Sequence, residues 1–283
     1  MRLRAHVDVT AFLAAAGDLL SRDEPRHNLI FGICGTLRVA PDAYREAYFW
    51  TVESDETLAA LLMTPPFNIV VARPQHDAAL VFAARELRAT RGDVPGVVGA
   101  LPEVDLFARA WTDAPRLRMA HGVYAARHVR APADVEGSMR LASLGDLDQI
   151  VEWLRAFAAE ALPDDAPHLD AREAARRRLQ SDVGGTALWE LDGEAVSMCS
   201  FGGPTPRGIR IGPVYTPPEL RGRGYGSAVT AAASQSQLDA GREYCFLFTD
   251  LANATSNKIY VDIGYELVCE AADYAFENPG AGV

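Results

Sequence analysis

The chain has 283 residues, 49% of them hydrophobic and 23% charged, enough to bury one large core or two of ordinary size. Its 27 Lys+Arg stand against 38 Asp+Glu, a net charge of -11, which disfavours nucleic acid and anionic membranes as partners and suits a cationic small molecule or amine. Cys34, Cys199, Cys245 and Cys269 lie far apart, with no Cys-x-x-Cys pair and no clustered histidines, which argues against a disulfide framework or a zinc site, predicts no metal and favours a reducing compartment.

Met1-Arg2-Leu3-Arg4-Ala5-His6-Val7-Asp8 meets an acid before any apolar run long enough for a signal peptide, and no stretch of about 20 apolar residues follows, so a cytoplasmic location is expected. An early helical region leads to strands near 48–53 and 58–63 and to the apolar strand Ile69-Val70-Val71-Ala72. A helix over 76–90, a short strand near Val97, a helix over 103–111 and a closing strand region over 117–127 complete this half. The polar, Pro-containing stretch 130–138 then marks a boundary between an N-terminal domain, 1–130, and a C-terminal one, 138–283.

In the second half a short strand over 139–142 precedes Ser143-Leu144-Gly145-Asp146, a capping-box pattern. Leu147, Ile150, Val151, Leu154, Phe157 and Ala158 then recur at helical spacing until Pro163. Asp170 and Glu173 open a second helix, whose Arg176-Arg177-Arg178 suits its negative end. Strands over 186–191 and 194–201 flank Asp192-Gly193, a two-residue hairpin signal. The next strand, 208–216, contains Gly212-Pro213, which predicts a bulge or splay because Pro lacks the ladder N–H. A small-residue helix over 226–240, an apolar central strand over 244–248, a short helix over 254–263 and strands near 265–270 and 274–276 follow. The order predicts an α/β (α+β) fold: a mixed, largely antiparallel sheet flanked by helices. The first half repeats that order faintly, as a diverged duplication would.

Arg221-Gly222-Arg223-Gly224-Tyr225-Gly226 sits between a strand and a helix start, so its backbone N–H groups point into one concavity at the positive end of the helix dipole. Such a nest suits a diphosphate; a Gly-rich turn made for steric reasons is the alternative. The spacing is not Gly-x-Gly-x-x-Gly and no Gly-Lys-Ser/Thr follows, which disfavours Rossmann and Walker sites. Further on, Asn253, Asn257 and Tyr260 share one helix face, within roughly 60° of one another, while Ala252, Ile259 and Ile263 form a stripe suited to packing.

Arg221-x-x-Gly224-x-Gly226 resembles the acetyl-CoA signature Gln/Arg-x-x-Gly-x-Gly/Ala of the GNAT N-acetyltransferase superfamily. Asn253-x-x-Ser256-x-x-Ile259-Tyr260-x-x-x-Gly264-Tyr265 resembles its Asn-x-x-Ala-x-x-Leu-Tyr-x-x-x-Gly-Phe segment. The resemblance covers about residues 138–276 and extends faintly to the N-terminal half as a degenerate copy, an arrangement similar to mycothiol synthase in architecture. It implies transfer of an acetyl group from acetyl-CoA, a co-substrate, to a primary amine of a small acceptor, by direct attack in a ternary complex with no metal.

On that resemblance Arg221, Gly222, Arg223, Gly224, Tyr225, Gly226 and Ser227 bind the diphosphate. Val214, Tyr215 and Thr216 pair with the pantetheine amides, and Asn253, Ser256 and Asn257 border the same arm. Tyr260 protonates the departing thiolate. Asn253 as a helix cap and Tyr260 as a buried hydrogen-bonding residue are the structural alternatives. Glu190, Glu194, Asp250 and Glu219 are weak candidates for a general base, and Asp164 and Asp165 for attracting a cationic acceptor. The competing function is a non-catalytic acyl-CoA sensor, with the N-terminal half either a buttress, a wall of the acceptor pocket or a partner-binding module.

Overall fold

The computed structural model describes residues 1–92, 94–161 and 170–276, and its contacts divide the chain into two compact units. Of the described residues, the first contains Met1–Val123, Thr249–Ala252 and those from Leu267; the second contains those within Tyr124–Phe248 and Asn253–Glu266.

In the first unit the early helical region resolves into β1 (Arg2–His6), α1 (Val9–Ser21) and α2 (Asn28–Val39). Asp8 starts α1, its carboxylate accepting the Ala11 N–H at 2.8 Å. Then come β2 (Tyr48–Glu53), β3 (Thr57–Met63), β4 (Ile69–Val71), α3 (Asp77–Thr90), β5 (Gly96–Ala100) and α4 (Glu103–Trp111). The strands pair in sequence order, antiparallel to β4 and parallel between β4 and β5, the pair that α3 connects. Alternating side chains feed opposite cores. Phe49 and Leu62 join Phe12, Leu20 and Ile30 on one face, and Trp50 and Leu61 join Leu80, Phe107 and Trp111 on the other.

At the C-terminus one strand, β12 (Glu266–Ala275), replaces the two expected near 265–270 and 274–276. It pairs antiparallel with β5, from Ala271 opposite Ala100 to Ala275 opposite Gly96. Asn68 Nδ2 donates to Asp273 Oδ1 at 2.6 Å, and the Phe276 and Trp111 rings stack at 4.9 Å. The final strand is therefore part of the first unit's sheet and core.

The second unit takes the end of β6 (Arg116–Ala126), with Tyr124 and Ala126 in its core, then β7 (Ser138–Leu141), α5 (Leu147–Ala161) and α6 (Ala171–Leu179). It continues through β8 (Gly185–Leu191), β9 (Glu194–Gly202), β10 (Gly208–Tyr215), α7 (Tyr225–Asp239), β11 (Tyr244–Asp250) and α8 (Ala254–Asp262). The β8–β9 hairpin turns through Asp192 and Gly193, both at positive φ, as its two-residue loop requires. Cys245, Phe246 and Leu247 of β11 are all fully buried, as a central strand demands. No helix among the described residues is long and apolar enough to cross a membrane, and the four cysteines are unpaired.

The capping box forms, and it is tied to the sheet. Asp146 accepts from the Ser143 backbone N–H at 2.7 Å and takes both terminal nitrogens of Arg140, at 2.8 and 2.7 Å, while Arg140 Nε donates to Glu190 at 2.6 Å. The Arg140 guanidinium holds the Asp146 carboxyl well below the usual carboxylate range, helped by Ser143. Because the folded-state value is depressed, this stabilisation is full above the ordinary Asp range, begins to fall within it and is lost completely only as pH drops through the depressed folded-state value. Asp146→Asn is expected to cost about 1–3 kcal/mol at pH 7. Urea unfolding at pH 7 and about pH 3 checks this: the gap between wild type and variant should narrow at the acid pH, whereas a pH-independent gap contradicts it.

Candidate active site

The site grows from the departure of β10 from β11. Their parallel pairing runs only through Gly208–Tyr244, Ile209–Cys245 and Arg210–Phe246, yet β10 continues to Tyr215 beside β9. Between Ile211 and Val214 its register on β9 slips: Gly212 and Pro213 together face the single residue Ser200. Pro213 supplies no N–H, so the ladder bulges there and the end of β10 diverges from the central strand.

The carbonyls on this segment are partly committed. The Tyr215 carbonyl accepts from Ser197 Oγ at 3.0 Å, and that hydroxyl also meets Thr216 Oγ1 at 2.8 Å. The Thr216 carbonyl accepts from Arg221 Nε at 2.9 Å. Val214 packs half-buried on the core, and Tyr215 is buried against Trp153 with ring centroids 6.3 Å apart.

After a 3-10 turn over Pro218–Leu220 the chain reverses through Gly222 (φ 78°) and Gly224 (φ 83°) into α7. Gly224 is the N-cap residue, and no side chain caps the helix. The amides of Tyr225, Gly226 and Ser227 in its first turn are therefore left for an external acceptor at the positive end of a 15-residue helix. A Cβ on Gly226 would lie 3.3 Å from Thr216 Oγ1, and one on Gly224 only 2.8 Å from Val135 Cγ2. Side-chain crowding at Gly224 and Gly226 and left-handed φ at Gly222 and Gly224 thus account for these glycines, while the N–H groups that the helix leaves unpaired account for what the loop can hold.

Of the two loop arginines, Arg223 is exposed, as an anion ligand requires. Arg221 is not a free donor: its Nη2 reaches both oxygens of Glu160, at 3.0 and 2.7 Å.

α7 lies close on the sheet because it is built from small residues, with Ala228, Ala231, Ala233, Thr230 and Ser234 all buried. Its buried Thr230 and Ser234 hydroxyls are satisfied internally. Thr230 donates to the Gly226 carbonyl and Ser234 to the Thr230 carbonyl, each at 2.7 Å, and Ser234 Oγ meets the fully buried Tyr265 hydroxyl at 2.6 Å.

Tyr260 rises from α8 with its ring packed on the second unit's core, edge-to-face with Tyr265 at 6.1 Å. Among the described residues its hydroxyl has no hydrogen-bond partner, and burial holds the phenol above its ordinary range, with Cys199 acting in the same direction. Ile263 is fully buried and Ile259 half-buried, but Ala252 is exposed, so the expected three-residue packing stripe is incomplete. Tyr260 leans on the core as well, contrary to a purely polar face: a nine-residue helix with no fully buried residue of its own rests on whichever large ring it can place.

Asn253 is the N-cap of α8, its Oδ1 accepting the Ser256 N–H at 3.0 Å, and the Asn257 N–H goes to the Asn253 carbonyl at 3.1 Å. The capping alternative accounts for the Asn253 side-chain oxygen.

Among the base candidates, Glu190 is bound to Arg140, Asp250 accepts the Ala252 N–H at 2.8 Å, and Glu194 and Glu219 are exposed. Asp164 and Asp165 lie outside the described residues. Ser197 and Glu160 border the cradle without having been singled out from sequence. Glu160 follows Trp153 by seven residues, a same-face spacing that marks it in retrospect.

The family model described as acetyltransferase (GNAT) family matches residues 147–265. A search of curated proteins finds no match. Among solved structures, an acetyltransferase of the GNAT family from Colwellia psychrerythraea is similar at 10% identity and TM-score 0.60, over 98% of this chain and 100% of that one. A tandem GNAT protein from the clavulanic acid biosynthesis pathway is similar at 15% identity and TM-score 0.61, over 99% and 100%. A GCN5-related N-acetyltransferase from Sphaerobacter thermophilus is similar at 17% identity and TM-score 0.61, over 100% and 97%. Residues 147–265, with their splayed strand and uncapped glycine loop, therefore belong to the GNAT acetyltransferase family, a class of acyl-CoA-dependent acyltransferases, within a chain that has a GNAT-type fold along its length.

Proposed function

We propose that the second unit transfers an acetyl group from acetyl-CoA to a primary amine on a small acceptor. The observation that carries this is the opening of β10 from β11 beyond Arg210, directly upstream of a helix N-terminus that no side chain caps. An extended pantetheine arm adds to the β10 edge as a strand would, and the amides of 222–227 with Arg223 take the diphosphate.

In the reaction the amine nitrogen bonds to the thioester carbon, the carbon–sulfur bond breaks, and the sulfur takes a proton. Tyr260 is suited to supply that proton: its phenol is neutral, raised above its ordinary range and, among the described residues, without a competing partner. Solvent returns the proton to the phenolate, and the amine's surplus proton leaves through water.

The first unit's counterpart of this site is closed. Here β4 pairs with β5 along all three of its residues. The Arg73 N–H just beyond donates to His27 Nε2 at 3.0 Å, and the Gln75 N–H to the Leu58 carbonyl at 2.8 Å. His27 Nδ1 lies 2.8 Å from the Leu20 carbonyl, so the hydrogen bonds define a neutral tautomer, which burial favours by lowering its pKa. α3 then opens on Asp77, an acid where a phosphate would sit. Calorimetry should accordingly find one acetyl-CoA per chain; two sites of similar affinity would contradict this assignment.

CoA release from acetyl-CoA across an amine panel tests the function. Turnover on at least one primary amine is expected, and tight acetyl-CoA binding with no turnover on any of them favours a sensor instead.

A further inference from the structure

Arg221 stands where a phosphate loop invites a cation, but its guanidinium is already held on three sides. Nη2 contacts both Glu160 oxygens, Nε donates to the Thr216 carbonyl, and the guanidinium carbon lies 5.7 Å from the Tyr215 ring centre. Seven residues place Glu160 and Trp153 within about 20° on one face of α5. Trp153 packs on the Tyr215 ring, so α5 grips the end of β10 through Tyr215 and the start of the glycine loop through Arg221. The Nε–Thr216 bond closes residues 216–221 into a ring, which sets the direction in which the following amides project.

We infer that Glu160 is a positioning residue for the cofactor loop: it keeps Arg221 as a strut between α5 and the end of β10, and Arg221 is not a ligand of the diphosphate. The inference rests on reading the second unit as an acyl-CoA transferase. It makes an unusual demand on sign, since deleting an anion beside a phosphate site ordinarily strengthens phosphate binding. Here deletion weakens it, because the loop loses its brace.

Calorimetric titration of CoA into wild type, Glu160→Gln, Glu160→Lys, Arg221→Gln and the Glu160→Gln/Arg221→Gln double variant decides between the two. Each Gln variant should weaken CoA by about fivefold, with the double variant no weaker than Arg221→Gln alone, because Glu160 acts only through the ion pair that Arg221→Gln already removes. Glu160→Lys should weaken it at least as much, since a lysine repels Arg221. Unchanged or tighter binding in Glu160→Gln or Glu160→Lys overturns the strut.

Hydrogen exchange on the ligand-free proteins supplies a readout that needs no CoA. The hydrogen-bonded amides of Leu220, Arg221 and Ala228 that flank the loop should exchange faster in Glu160→Gln than in wild type, and unchanged rates overturn the inference. A wild-type protein with no affinity for CoA counts instead against the proposed function, and the exchange result still decides the strut.

Discussion

Gly226→Val should lower acetyl-CoA affinity by about 100-fold, the equivalent of about 2.7 kcal/mol, which is the worth of one or two charge-assisted amide contacts to a diphosphate. Gly226 is in the first turn of α7, and even the Cβ of a substituent would lie 3.3 Å from Thr216 Oγ1. Thr216 cannot yield cheaply, because that oxygen is held by Ser197 at 2.8 Å and its carbonyl by Arg221. The added methyls therefore extend into the concavity that the amides of 222–227 line and keep a diphosphate away from the backbone. Gly202 provides the control: a Cβ there meets nothing within 4 Å, and Gly202→Ala should bind acetyl-CoA within about twofold of wild type. Isothermal titration of both variants, with near-ultraviolet circular dichroism to establish native packing, gives the comparison. A Gly226→Val protein that is folded and binds normally would remove the loop from the site.

Tyr260→Phe should lower kcat by about 100-fold to 1,000-fold while leaving CoA affinity within about twofold, the pattern of an interaction made only as the thiolate departs. The variant is a clean one. Among the described residues the hydroxyl has no partner to orphan, and the ring that packs on Tyr265 and the core remains, so the stability change should stay below about 1 kcal/mol. The phenol acts in its neutral form and its folded-state value lies above the ordinary tyrosine range, so loss of this proton should cause no fall in wild-type kcat up to about pH 10. Single-turnover CoA release at saturating donor and a range of amines is the measurement. A Tyr260→Phe enzyme within threefold of wild type would assign proton delivery to another group.

What could be read from the chain was what local chemistry decides. Asp192-Gly193 forms the two-residue hairpin, Ser143 and Asp146 close their box, and Gly212-Pro213 breaks the register of β10, each because the constraint lies within a few residues. The buried run Cys245–Leu247 declared a central strand by having no polar face.

Long-range partners were the illegible part. Nothing in β12 announces that it pairs with β5, since strand pairing is set by the assembled core, here Phe276 on Trp111. Arg221 shows its charge in the sequence but not Glu160, 61 positions earlier, whose carboxylate its guanidinium meets. Asn253 was ambiguous between cap and ligand because one short amide side chain suits both, and its oxygen caps α8 by accepting the Ser256 N–H. The closed counterpart in the first unit depends on His27, a lone histidine whose role appears only when α2 and the end of β4 are brought together.

The most direct test of the account is amide hydrogen exchange of the wild-type chain with and without saturating CoA. Protection should concentrate at 214–216 and 222–227, with no change over 69–80. Protection over 69–80, or binding that protects neither segment, would contradict the assignment of the acyl-CoA site to the splayed strand and glycine loop of the second unit.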